Sequence, residues 1–126
     1  MAVLSIVMPF SGERELILAL AVTTLINTRE IGWYNLPPLY KSGVRYQRDV
    51  CRARHVPGAC ERFLSAKQCF DERFGDCDDL GPWRAAEWIR KGVKARALPI
   101  RSEVGWHIIV KLPNGTIEDP SKVLGM

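Results

Sequence analysis

The chain has 126 residues, enough for one domain with its own core, and its 47% hydrophobic content separates it from disordered sequences. A net charge of +4 and a pI near 9.0 are mildly basic and do not by themselves indicate a nucleic-acid binder. The longest apolar run, residues 16–26, includes Thr23 and Thr24 and is shorter than the about 20 residues of a membrane span, so neither a transmembrane helix nor a signal peptide is expected.

Taken in chain order, residues 2–9 are apolar and β-branched enough for a first strand. Ser11 is placed to cap a helix starting near Gly12, with Glu13 and Glu15 in the first turn facing the positive end of its dipole. Leu16, Ile17, Leu20, Thr24 and Ile26 give this helix a wide inward face and predict a core helix to about Thr28. Residues 31–59 are interrupted by Gly32, Pro37, Pro38, Gly43, Pro57 and Gly58 and read as irregular. Trp33, Tyr34, Leu36, Leu39 and Tyr40 are too apolar for a free linker and are expected over the core, as one wall of a cleft.

Residues 61–73 read as a helix with Phe63, Leu64 and Phe70 inward, ended by Gly75. A further helix is predicted over 76–91 with Gly92 as its stop and Trp83, Ala86, Ile89 and Trp88 on its apolar side. Pro82 opposes that plan, because it has no amide hydrogen and crowds the Asp78 carbonyl, so an irregular first turn or a kink is expected. Residues 93–101, 104–112 and 116–119 read as strands, with Gly115 in the turn between the last two.

Lys41, Arg45, Arg48, Arg52 and Arg54 form a basic stretch, suited either to an anionic partner or to a solvated loop. No nucleic-acid-reading motif accompanies it, so nucleic acid is not an expected partner. The four cysteines, at 51, 60, 69 and 77, make no CxxC pair. A Cys51–Cys60 or Cys60–Cys69 disulfide, a loosely spaced zinc set of Cys51, His55, Cys60 and Cys69, and free thiols are the alternatives. Residues 76–87 approach a calcium-binding loop but carry Leu80 where an oxygen ligand belongs, with Pro82 following. No metal and no cofactor are expected.

Three residues suit a thiol nucleophile, its base and the base's orienter. Cys77 begins a helical pattern, His107 lies in the strand-like 106–110, and Asp119 follows the turn at 114–115. The helix dipole would favour a Cys77 thiolate and lower its pKa, whereas Asp76, Asp78 and Asp79 would raise it or select a cationic substrate such as a lysine amine. Trp83 and Trp106 are candidates to flank a substrate cleft or to pack the core.

The segments GDCDDLGPWRAAEWIRKGVKAR (75–96), WHIIVKLPNG (106–115) and EDPS (118–121) resemble the transglutaminase-like branch of the papain-like cysteine-protease superfamily. PPLYKSGVRYQRD (37–49) and EDPSKVLGM (118–126) are similar to small tailed-bacteriophage proteins of that type. The resemblance implies an α+β, compact papain-like fold over a single domain 1–126, with a catalytic-type core at 60–126. The nucleophile helix would pack on an antiparallel sheet built from the C-terminal strands and the N-terminal one. It implies Cys77 as nucleophile, His107 as base, Asp119 as orienter, and an oxyanion donor among Gln47, Gln68, Trp33 and Tyr46, Gln47 also being a candidate for substrate binding. The expected function is thiol-dependent acyl transfer or hydrolysis on a protein or peptide amide, in host cytoplasm or virion. The other expectation is an accessory virion protein of head, neck or tail that binds other virion proteins.

Overall fold

The computed structural model describes residues 5–9, 12–48, 59–103 and 105–126, with side chains for all of these except 5–9 and 59–62. Cys51 and His55 lie outside the described residues, as does Ser11. The architecture is α+β. In order, β1 (Ser5–Pro9), α1 (Glu13–Trp33), a 3-10 turn (Leu39–Lys41) and β2 (Arg45–Tyr46) precede β3 (Ala59–Leu64), α2 (Ala66–Glu72) and β4 (Phe74–Gly75). Then come α3 (Cys77–Arg90), β5 (Arg96–Ser102), β6 (Gly105–Lys111), β7 (Ile117–Glu118) and α4 (Pro120–Val123).

Helix α1 buries Leu16, Ala19, Leu20, Thr23, Asn27 and Glu30, a three- and four-residue spacing that marks one helical face. Thr23 and Thr24 avoid unpaired hydroxyls by bonding back to the carbonyls of Ala19 (2.8 Å) and Leu20 (2.7 Å). The helix runs to Trp33 rather than ending near Thr28. Tertiary contacts carry it across Gly32: the Arg90 guanidinium donates to the Thr28 carbonyl (2.8 Å) and lies against Gly32. By length and composition α1 would suffice to cross a membrane; here one face packs on α3 and β5, while Leu18 and Leu25 on the other are exposed.

The helix expected over 61–73 begins only at Ala66, because residues 59–64 pair as a strand with β1, with Ser5 opposite Leu64 and Ile6 opposite Phe63. The chain then turns into α2, whose first amides are met by acceptors from elsewhere. Asn27 Oδ1 accepts from Ala66 N (2.7 Å), Glu30 Oε1 from Lys67 N (3.0 Å) and Ser65 Oγ from Gln68 N (3.4 Å). Arg73, at φ 68°, provides the left-handed exit expected of Gly75. Gly75 is instead a packing glycine, since a Cβ there would lie 3.0 Å from Leu80 Cδ2 and 3.2 Å from Cys69 Sγ.

Strands β5, β6 and β7 form an antiparallel sheet in that order. Strand β1 does not join it but pairs with β3, and β2 runs parallel to β4. Helix α3 lies on the three-stranded sheet at Gly81, where a Cβ would come within 2.8 Å of Ile108 Cγ2, so the absent side chain sets the close approach. Pro82 sits inside α3, fully buried, and the helix runs through it from Cys77 to Arg90. Trp83, Ala85 and Ala86 are buried, while Ile89, expected inward, is 36% exposed. Leu16, Leu20, Phe63, Ala85, Ile108 and Val110 share one core cluster, which therefore draws on both halves of the chain.

Candidate active site

Strand β4 delivers the chain directly to Asp76, the N-cap of α3. A capping box closes this start: Asp79 Oδ2 accepts from Asp76 N (2.9 Å) while the Asp76 side chain serves the first turn. Asp79 Oδ1 also accepts from Leu64 N (2.7 Å), tying β3 to the head of α3. Cys77 is therefore the first residue of a helix anchored on two sides. Residues 76–87 being cap and helix, they do not form the calcium loop that their spacing suggested. Among the described residues no group of three or more His, Cys, Asp or Glu is arranged to hold a metal ion, and the zinc set considered above lies partly outside those residues.

Cys77 is a free, half-buried thiol. It faces the Ile108 amide, whose hydrogen bond favours a thiolate. The sheet explains why that amide is available. Ile108 stands opposite Pro99, and a ladder accommodates proline where its nitrogen points away from the partner strand. The facing Ile108 amide then also points outward, toward an edge that β7, paired at Val110 and Lys111 only, leaves open. The thiol thus meets β6 beyond the end of β7, at the residue following His107.

His107 and Asp119 come together from β6 and from the N-cap of α4. His107 Nε2 and Asp119 Oδ2 are 2.7 Å apart. An ionised carboxylate only accepts, so Nε2 carries the proton in the neutral ring and Nδ1 is left as the basic nitrogen. Asp119 Oδ1 also accepts from Lys122 N (3.4 Å), and Pro120, at the first position of α4, has no amide to compete.

The electrostatics differ from what a helix N-terminus alone predicts. Burial first, and then the Asp76 charge, push the Cys77 thiol up to about 12; the Ile108 amide opposes them without prevailing. The resting sulfur is a neutral thiol at pH 7, not a preformed thiolate. The Cys77 amide donates to Asp76 Oδ1 (2.7 Å), so that donor is engaged. Tyr46 hydrogen-bonds the same carboxylate, and its phenol is pushed up to about 12 by burial and by the Asp76 charge.

Of the other residues singled out by sequence, Gln47 is exposed, and its backbone N–H donates to the Gly75 carbonyl (2.9 Å), two residues before Cys77. Gln68 belongs to the first turn of α2. Trp33 ends α1 and is 61% exposed. Trp106 is half-buried against the core, with Arg101 stacked on its ring at 4.8 Å. Trp83 is not available to substrate: it is fully buried in the cluster with Leu39, Val44 and Leu80, because it faces inward from the middle of α3.

Sequence reasoning passed over a second polar cluster on the other side of β7. Glu118 takes hydrogen bonds from Arg84, Trp88 and Tyr40. The signals were present as Arg84 and Trp88 at a four-residue helical spacing and an acidic residue alternating with Asp119 along the chain. No family model, curated protein or solved structure matches this chain.

Proposed function

We propose that this protein is a thiol-dependent acyl transferase or hydrolase of the transglutaminase-like, papain-like type. The observation that carries the reading is the 2.7 Å His107–Asp119 pair beside a strand position whose next amide contacts the Cys77 thiol. His107 Nδ1 takes the thiol proton as sulfur attacks an amide carbonyl. The imidazolium, held by Asp119, then protonates the leaving amine, and a thioester remains on Cys77. Water completes hydrolysis and an incoming amine completes transamidation. Because the thiol rests neutral, deprotonation accompanies attack rather than preceding it. The Cys77 amide and the Tyr46 hydroxyl, both engaged with the Asp76 carboxylate at rest, become oxyanion donors if Asp76 releases them, and Gln47 is the further candidate carried over from the resemblance. The substrate class is a protein or peptide amide, and the setting is a bacteriophage-infected cell or the virion.

The engaged Cys77 amide and the raised thiol favour a second reading, in which the fold serves as an accessory virion protein that binds its neighbours. Incubation with p-nitrophenyl acetate followed by intact-mass and peptide mapping separates the two. Enzymatic acyl transfer predicts one acetyl group on Cys77, slower formation in His107→Ala, and faster loss when methylamine is supplied. Labelling of Cys77 no faster in the wild type than in His107→Ala contradicts the enzymatic reading, and a fixed copy number in purified virions then supports the binding one.

A further inference from the structure

We propose that Glu118 is a positioning residue that holds Asp119 on His107 through a clamp of Arg84, Trp88 and Tyr40. This deepens the thiol–imidazole reading and rests on it for its catalytic meaning. Its geometry stands independently.

Strand β7 has only two residues, paired with β6 at Val110 and Lys111. So short a strand fixes its end weakly, and Asp119 lies just past it with φ −124° and ψ 85°. The cap bond from Lys122 N to Asp119 is long, at 3.4 Å. Helix α4 holds the far side of Asp119, with Pro120 and Ser121 buried and contacts to α3, and Glu118 is the residue that can hold its near side.

Glu118 sits opposite Val110 and, like it, faces α3. Successive extended residues point to opposite sides, so a Glu118 fixed on α3 turns Asp119 toward His107. The fixing is extensive. Glu118 Oε1 accepts from Trp88 Nε1 (2.7 Å) and Arg84 Nη2 (3.3 Å); Oε2 accepts from Arg84 Nε (2.8 Å) and the Tyr40 hydroxyl (2.9 Å). Four donors fill the acceptor capacity of a carboxylate, and the Arg84 fork sets its plane.

The donors are themselves held. Arg84 Nη1 donates to Glu87 Oε1 (3.1 Å), and Glu87 Oε2 accepts from Leu39 N (2.7 Å). The guanidinium lies 4.7 Å from the Tyr40 ring centre and 4.8 Å from that of Trp88. The clamp is thus anchored in α3 and in the 3-10 turn. Burial alone would raise the Glu118 pKa, but the hydrogen bonds from Arg84, Tyr40 and Trp88 outweigh it and hold Glu118 below the usual carboxylate range.

The test follows the His107 Nε2 proton by NMR with 15N-labelled histidine, using His107→Ala to tell it from His55. In the wild type this proton is expected downfield and slow to exchange. Glu118→Gln preserves shape but sets an amide donor against Arg84 or Tyr40, and is expected to abolish the resonance while the amide spectrum of α1 stays native. Tyr40→Phe removes one donor of four and is expected to keep the resonance with several-fold faster exchange. An unaltered resonance in Glu118→Gln overturns the proposal; should that variant not fold, an unaltered exchange rate in Tyr40→Phe overturns it.

A second readout separates positioning from mere support. Iodoacetamide alkylation of Cys77 is expected to slow in Glu118→Gln to the rate of His107→Ala, and the double variant to be no slower than His107→Ala alone. Additive slowing in the double variant would place the action of Glu118 elsewhere and overturn the proposal. Equal Cys77 rates in wild type and His107→Ala would instead defeat the enzymatic reading, leaving the imidazole resonance to decide for Glu118.

Discussion

At the scale of single residues, the site turns on the opposition between Asp76 and Cys77. Asp76 does two things at once: its side chain caps the Cys77 amide, and its charge helps hold the thiol protonated. Asparagine keeps a capping oxygen but removes the charge. Asp76→Asn is therefore expected to leave α3 intact by circular dichroism and to lower the Cys77 pKa. Below that pKa each unit lost brings about tenfold more thiolate at fixed pH. Alkylation rates measured from pH 7 to pH 10 check this; a rate profile that does not move would show that burial alone sets the thiol. Trp83 teaches the complementary lesson. Its distance from Cys77 along the chain made it a candidate cleft residue, but burial is decided by helical phase, and Trp83 points into the core from the middle of α3.

At the scale of elements, much of the site was legible because its determinants are local. Asp76 before Cys77 marks a helix start, and Asn114-Gly115 marks the turn, with Asn114 Oδ1 accepting from Thr116 N (2.9 Å). A hairpin of that register brings His107 and Asp119 to one side without any long-range information. The stretch 61–64 was not legible, since its apolar pattern suits helix or strand and its pairing with β1 settles the matter from about 55 residues away in the chain. The length of α1 was hidden for the same reason: Asn27 and Glu30 reach the α2 amides, a partnership that local propensity does not contain. Asn27→Leu removes the acceptor for the buried Ala66 amide and is expected to cost about 1–3 kcal/mol in denaturant unfolding; a change near zero would show that water replaces it. At the other junction, Gly81→Ala drives a methyl into Ile108 and is expected to destabilise by about 1–3 kcal/mol despite the better helix propensity of alanine. A stability gain in thermal melts would contradict the close α3–β6 approach.

At the scale of the whole molecule, the buried thiols and phenols make stability depend on alkaline pH. Cys77 rises from 9.0 to about 12 and Tyr46 from 10.0 to about 12 on folding, and burial raises Cys69 as well. A pKa raised in the folded state gives stability that is complete below the unfolded value and is lost as pH climbs through the folded one. Melting temperature is therefore expected to hold to about pH 9 and fall toward pH 12, less steeply in Cys77→Ala; a flat profile across that window would contradict the burial of these groups. Acid has the opposite lever in Glu118, whose lowered pKa gives stability that is present above the usual carboxylate range and lost on protonation. The core is shared between α1, α3 and the three-stranded sheet, and Cys77 and Trp106 pack against it.

The central claim is that His107 acts on the Cys77 thiol, and the iodoacetamide alkylation rate of Cys77 at pH 7, read by mass spectrometry in wild type and His107→Ala, tests it most directly. The account predicts that the wild type is faster by roughly a hundredfold, the low end of what a positioned base contributes. Equal rates in the two proteins would contradict it.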